Sequence, residues 1–209
     1  MYREFDVATW NRKDLYTFFS TYEDPFFGIC TSLDITALYA YCRKNGYSLN
    51  LAILYFSTLA INAIEAFRLR IREGKVVLYD RIDCGTTVFH PDKTFSFCYL
   101  EFTASLETFE SAGKALIQRQ IEDRTLDPRT NTLNMVHCST IPWTTFTSIK
   151  YAKKFGISDS IPKLTFGKYY MEHGRRKLPI SIEVNHALMD GYHVGQYLNK
   201  FQETINQLS

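Results

Sequence analysis

Near the C-terminus the chain reads "ISIEVNHALMDGYHVGQYL", and within it His186, Asp190 and Gly191 stand at the spacing H-x-x-x-D-G. An imidazole with an unperturbed pKa of roughly 6.5 can take and return a proton at neutral pH, which makes His186 a candidate acid–base catalyst. The ordinary alternatives are equally concrete. A lone inward histidine is more often a hydrogen-bonded core residue. Asp190 could simply cap the helix that follows. This stretch alone leaves both readings open.

The elements around the motif are easy to read. Leu178, Ile180, Ile182, Val184 and His186 share one parity, while Ser181, Glu183 and Asn185 share the other. Successive strand side chains point to opposite faces, so the pattern predicts a strand with His186 on its apolar side. After Asp190 and Gly191, the residues Val194, Tyr197, Leu198, Phe201, Ile205 and Leu208 recur at helical spacing. The unit is strand, tight turn, helix, with an imidazole pointing inward at the junction.

The whole chain sets the bounds. Its 209 residues are enough for a substantial core, and a 45% hydrophobic, 15% aromatic composition is that of a globular protein. A net charge of +2 from 24 basic and 22 acidic residues argues against a broad nucleic-acid or membrane surface. A local basic rim for a phosphorylated ligand stays open. The cysteines Cys30, Cys42, Cys84, Cys98 and Cys138 are odd in number, sit in apolar runs and form no C-x-x-C pair. Buried reduced thiols fit them better than disulfides or zinc. "MYREFDVATW" carries charges where a signal peptide needs an apolar core, and no apolar run is long enough to span a bilayer. A soluble, cytoplasmic protein is expected.

The element order is mixed. A strand at Phe5–Val7 precedes a helix at Arg12–Thr21; "FFGICTSLDIT" is a strand ending at Thr36, with a helix through Tyr41. "SLNLAILYFSTLAINAIEAF" is one apolar helix capped by Ser48, and "LRIREGKVVLYD" a hairpin turning at Gly74. "CGTTVFH", "TFSFCYLEF" and "NMVHCSTIPW" are strands, with a helix over 105–123 after the second and an ordered surface loop over 122–134 before the third. "PKLTFGKYYMEHGRRKLPISIEVNHA" is a long hairpin turning at Glu172–Arg176. No linker or repeat divides residues 1–209, and the βαβ rhythm is irregular. The expectation is one α/β (α+β) domain, a two-layer sandwich of a mixed β-sheet with helices packed on it.

Several chemistries drop out. No G-x-S-x-G elbow is present, since "GISDS" lacks its second glycine, and no Gly-rich loop follows a strand. His90, His137, His173, His186 and His193 show no metal spacing. What stands is H-x-x-x-D-G. "VNHALMDGYHVG" resembles the signature of chloramphenicol acetyltransferases, which share the motif with the catalytic domains of dihydrolipoyl acyltransferases. "FDVATWNRKDLYTFF", "TSLDIT", "TTVFH", "STIPWTTF", "PKLTFGKYY" and "RRKLPISIEVNHALMDGYHVGQYLNKFQE" resemble the same family in the right order, over nearly the whole chain.

The resemblance implies transfer of an acetyl group from acetyl-CoA, as co-substrate, to a hydroxyl of chloramphenicol, with no permanently bound cofactor and no metal. It implies that His186 is the general base of a ternary-complex reaction, its other ring nitrogen held by its own backbone carbonyl. It implies that Asp190 pairs with Arg12 and holds the turn, that Ser139 donates to the tetrahedral oxyanion, and that Thr165 positions a water there. Lys168 and Tyr169 match residues lining the coenzyme A site, and Phe18, Phe27 and Phe95 match aromatic walls around the acceptor. Phe19 stands where familiar members have a tyrosine, Pro25 where one has a cysteine, Tyr151 where the wall is aliphatic, and Asn185 replaces the first histidine of a His-His pair. A homotrimer with sites between subunits is implied as well.

Three readings of different class follow. One is acetyl transfer to chloramphenicol, or to another small hydroxyl acceptor. A second is a dihydrolipoyl-type acyltransferase core, which the lack of a lipoyl domain or flexible linker disfavours. A third is a non-catalytic binder on the same scaffold, disfavoured by the retention of His186, Asp190, Arg12 and Ser139 together.

Overall fold

The strand that carries the histidine is the centre of the molecule. In the computed structural model, which describes residues 1–129, 131–154 and 159–208, strand β10 runs over Arg175–Asn185. On one side it pairs antiparallel with β2 (Phe26–Asp34). On the other it pairs antiparallel with β8 (Lys163–Gly167) and with the short β9 (Tyr170–Glu172). Beyond β8 come β7 (Met135–Ile141), β5 (Asp83–Phe89) and β6 (Phe95–Leu100), giving the order β2-β10-β8-β7-β5-β6. The β7–β8 and β5–β7 ladders are parallel and the rest antiparallel, so the sheet is mixed as expected.

One face of this sheet is covered by helices. Helix α3 (Leu49–Asn62) is buried on nearly every side, which is why its sequence is apolar throughout. It packs on β5 and β7 and against α5 (Leu106–Asp123) and α6 (Gly191–Asn206). Ile180, Ile182 and Val184 of β10, Leu164 and Phe166 of β8, and Val136 and Cys138 of β7 join the helices in one core. Ser48 and Ser105 cap α3 and α5 by accepting from Leu51 N and Thr108 N.

Several boundaries differ from the sequence expectation. The first strand is β1 (Tyr2–Glu4), earlier than Phe5–Val7, because Asp6 turns the chain by accepting from Ala8 N and Thr9 Oγ1. It joins β4 (Lys75–Tyr79) and β3 (Leu69–Arg72) in a separate three-stranded sheet, whose hairpin turns at Glu73 and Gly74, both at positive φ. Helix α1 is only Lys13–Phe19. Strand β2 stops at Asp34, whose carboxylate accepts from Thr36 N and Oγ1 and opens α2 (Thr36–Asn45). The apolar helix divides into α3 and α4 (Glu65–Arg68), and Asn62 at the break bonds both the N–H and the carbonyl of Ile82. The long hairpin is interrupted at Lys168, whose N–H goes to Thr144 O, before the chain turns at His173 and Gly174. Four of the five cysteines are buried, but Cys30 is exposed on β2.

Candidate active site

His186 follows directly on β10, and its N–H donates to Pro25 O at 2.8 Å, extending the β2–β10 pairing by one step. Its ring lies between two aromatics. Phe19 stacks flat on it, with centroids 3.9 Å apart and planes 6° from parallel, and Phe27 leans on it at 4.5 Å. Phe18 meets Phe19 edge-on at 5.1 Å and is itself exposed. The Nδ1 atom of His186 is buried with no hydrogen-bond partner among the described residues. The expected bond from Nδ1 to the residue's own carbonyl is therefore not formed here; that carbonyl accepts from Arg12 Nη2 at 3.1 Å. The open nitrogen of the ring is Nε2.

Asp190 does two things at once. It is the N-cap of α6, accepting from Tyr192 N at 3.0 Å, and it is ion-paired with Arg12. Burial raises its carboxyl pKa, but the Arg12 guanidinium, His193 and the Tyr192 N–H outweigh that and hold it below the ordinary carboxylate value. The guanidinium thus links the cap of α6 to the carbonyl of His186, across more than 170 residues of chain.

The other expected residues lie on the opposite face. Ser139 of β7 is in register with Thr165 of β8, and Thr165 with Ser181 of β10, so the three hydroxyl side chains form a row across the sheet. Thr140 of β7 bonds Asn50 of α3, which places Ser139 on the side away from the helices. Phe95 shares that outer face, in register with Phe89, whose ring meets Trp143 at 4.9 Å. Tyr151, in the segment after β7, reaches Ser181 O with its phenol. His186 has the parity of the helix-covered face and lies five residues along β10 from Ser181, roughly 17 Å at strand rise. Within one chain the structure brings Arg12, Phe18, Phe19, Pro25, Phe27, His186 and Asp190 together. It brings Ser139, Tyr151, Thr165 and Phe95 to the other face, and the two groups do not meet.

Lys168 and Tyr169 sit in the break between β8 and β9. Tyr169 packs edge-on against Tyr39 of α2 at 5.7 Å, and the Arg176 guanidinium lies 4.0 Å from the Tyr39 ring centre. The Arg176 side chain has no hydrogen-bond or ion-pair partner among the described residues. Lys168 is exposed beside it. A separate cavity of about 670 Å³ opens behind Pro25, lined by Tyr16, Asp24, Lys153, Asn185 and Ala187. Among the described residues no group of three or more His, Cys, Asp or Glu could hold a metal ion, and no helix is long and apolar enough to cross a membrane.

Sequence reasoning missed His193, whose Nδ1 accepts from Asp190 N at 3.2 Å and closes a capping box on α6. The signal was there, a polar residue three positions after the cap. It also missed Arg176 and Tyr39, which nothing local connects.

A family model and the curated relatives point to one family. A family model described as "Chloramphenicol acetyltransferase" matches residues 1–202. A Campylobacter coli chloramphenicol acetyltransferase is 32% identical over 212 residues, covering 99% of this chain and 99% of the relative. A Proteus mirabilis chloramphenicol acetyltransferase is 30% identical over 203 residues, covering 97% and 94%. A solved chloramphenicol acetyltransferase superposes with a TM-score of 0.91 at 26% identity, covering 98% of this chain and 100% of that one. The cubic core of the pyruvate dehydrogenase multienzyme complex superposes at 0.70 with 15% identity, covering 98% and 90%, a likeness of fold alone.

Proposed function

Because the chain belongs to the chloramphenicol acetyltransferase family, we propose that it moves an acetyl group from acetyl-CoA to a hydroxyl of chloramphenicol, with His186 as general base. The observation that carries this is the wiring of His186: its ring clamped by Phe19 and Phe27, its carbonyl tied through Arg12 to Asp190. A base must be held within hydrogen-bonding reach of the proton it takes, and these contacts fix both ring and backbone.

In this reading Nε2 takes the proton of the acceptor hydroxyl as its oxygen attacks the thioester carbonyl carbon. The carbonyl electrons move onto oxygen, where Ser139 donates a hydrogen bond and Thr165 positions a water; one such donor contributes about 3 kcal/mol in comparable sites. The C–S bond then breaks and the imidazolium returns its proton to the thiolate of coenzyme A. Lys168, Tyr169, Tyr39 and Arg176 line the coenzyme side, where cations meet phosphate and ring faces meet adenine. Ser139 and His186 lie on opposite faces of one sheet, and this supports a homotrimer in which the histidine of one copy meets the serine of the next. Residues 1–209 act as one domain in that assembly.

A second reading keeps the chemistry and changes the acceptor. Phe19 offers no hydroxyl, and Pro25 and Tyr151 alter the walls, so another small alcohol is the alternative substrate. Release of the coenzyme thiol from acetyl-CoA, measured with chloramphenicol and with a panel of small alcohols, tests both. Turnover with chloramphenicol is expected. Turnover only with another alcohol selects the second reading, and none with any acceptor overturns both.

A further inference from the structure

The row of hydroxyls on the outer face is less satisfied than buried polar groups usually are. Thr165 is 1% exposed, yet its Oγ1 has no hydrogen-bond partner among the described residues. Most buried hydroxyls are paired, because an unmet one costs about 1–3 kcal/mol. Tyr151 lays its phenol over the same place, 3.5 Å from Ser181 O. That contact is at the limit of hydrogen-bonding length and leaves the phenolic proton weakly engaged. Thr165 is in register with Ser181 on one side and with Ser139 on the other, so Thr165 stands between the strand the phenol touches and Ser139. The phenol of Tyr151 and the hydroxyl of Thr165 thus lie near each other on the face that carries Ser139, neither with a strong partner. Burial raises the Tyr151 pKa, more than the nearby Ser181 and Thr165 groups lower it, so the phenol stays protonated and a donor at neutral pH.

We propose that Tyr151 is a catalytic residue whose phenol donates a second hydrogen bond, beside Ser139, to the oxyanion of the tetrahedral intermediate. This rests on the acetyl-transfer reading and replaces, for this residue, the role of acceptor wall. No proton changes hands at Tyr151. The new C–O bond forms, the carbonyl pair moves onto oxygen, and the Ser139 and Tyr151 O–H groups point at it. When the C–S bond breaks the charge leaves that oxygen and both bonds weaken again. A preorganised donor that strengthens only as charge develops lowers the barrier without tightening substrate binding.

The test is Tyr151→Phe, which keeps the ring and removes one oxygen, beside Ser139→Ala and the double variant. Acetyl transfer to the best acceptor and acceptor-free hydrolysis of acetyl-CoA are both measured, since hydrolysis passes through the same oxyanion. Tyr151→Phe is expected to lower kcat by roughly 100- to 1,000-fold in both reactions with KM values within about twofold, as for loss of an oxyanion donor. The double variant is expected to lose less than the product of the single losses, because both donors serve one oxygen. Unchanged kcat with a raised acceptor KM returns Tyr151 to the acceptor wall and overturns the proposal, as does a Tyr151→Phe protein with wild-type kinetics. Acceptor-free hydrolysis separates this outcome from the identity of the acceptor: a chain that ignores chloramphenicol but hydrolyses acetyl-CoA still decides the role of Tyr151. A wild-type chain that turns over no thioester at all overturns it together with the reading it rests on.

Discussion

Phe19 lies flat on His186, 3.9 Å between ring centres and 6° from parallel. Phe19 therefore supports the ring of the proposed base directly, beside the part proposed for it in the acceptor wall. Removing the ring and removing a hydroxyl are different experiments. A stacked aromatic pair contributes about 0.5–1.5 kcal/mol, so Phe19→Ala is expected to cut kcat roughly 3- to 10-fold. Phe19→Tyr keeps the stack and restores a donor; a single hydrogen bond of about 1 kcal/mol is worth roughly fivefold in kcat/KM for chloramphenicol. Steady-state kinetics of the two variants check this, and a Phe19→Tyr protein no better than wild type removes Phe19 from acceptor selection.

The opposite faces of Ser139 and His186 predict complementation. His186→Ala alone is expected to abolish acetyl transfer while leaving coenzyme A binding and folding intact. Co-expressed with Ser139→Ala, it is expected to regain activity, because sites shared between copies include some with both native residues, about one quarter in a random equal mixture. Two tagged chains purified as mixed assemblies and assayed against each parent provide the measurement. No recovery in verified mixed assemblies places both residues in one chain's site.

How much of this was legible without coordinates varies by residue. The parity of Leu178 to His186 is a local pattern, and so is an aspartate ahead of a helical repeat, which made the cap at Asp190 one of the two readings open from the sequence. Ser48 and the Gly74 turn were legible for the same reason. The pairing Ser139↔Thr165↔Ser181 was not, because strand register depends on partners distant in sequence. Nor was Arg70, fully buried and donating to the carbonyls of Phe67, Leu69, Leu133 and Met135 with no carboxylate partner among the described residues. A cation reads as surface until the fold supplies four acceptors. The break at Lys168 likewise depends on Thr144, which no strand pattern announces.

The Arg12–Asp190 pair is expected to affect stability and rate together. Removing one partner of a fully buried pair costs about 3–5 kcal/mol; Asp190 keeps 31% side-chain exposure, so Arg12→Ala is expected to cost on the order of 2 kcal/mol. Asp190→Asn keeps a capping oxygen for Tyr192 N but loses the charge. Arg12→Ala removes the donor to the carbonyl of His186, and Asp190→Asn removes the charge that holds that donor in place, so kcat is expected to fall more than the KM for acetyl-CoA rises. Urea unfolding and kinetics on the same samples test this, and full activity in a destabilised Arg12→Ala protein would confine the pair to structure.

Acid stability isolates a second carboxylate. Asp34 ends β2, and its backbone N–H and carbonyl are both bonded by Gln202 of α6. Burial raises its pKa, but the side-chain bonds from Arg175 and Thr36, with the Thr36 N–H, pull it from 3.8 down to about 2. The folded pKa lies below the unfolded one, so the unfolded chain binds the proton more readily. The stability Asp34 contributes is therefore complete above pH 3.8 and is lost as pH falls toward 2. A shift of that size corresponds to roughly 2 kcal/mol. Asp34→Asn is expected to be less stable at pH 7 and to show a shallower fall in urea midpoint between pH 4 and pH 2. Parallel wild-type and variant curves across that window would mean that another carboxylate, such as Asp190, dominates the acid limb.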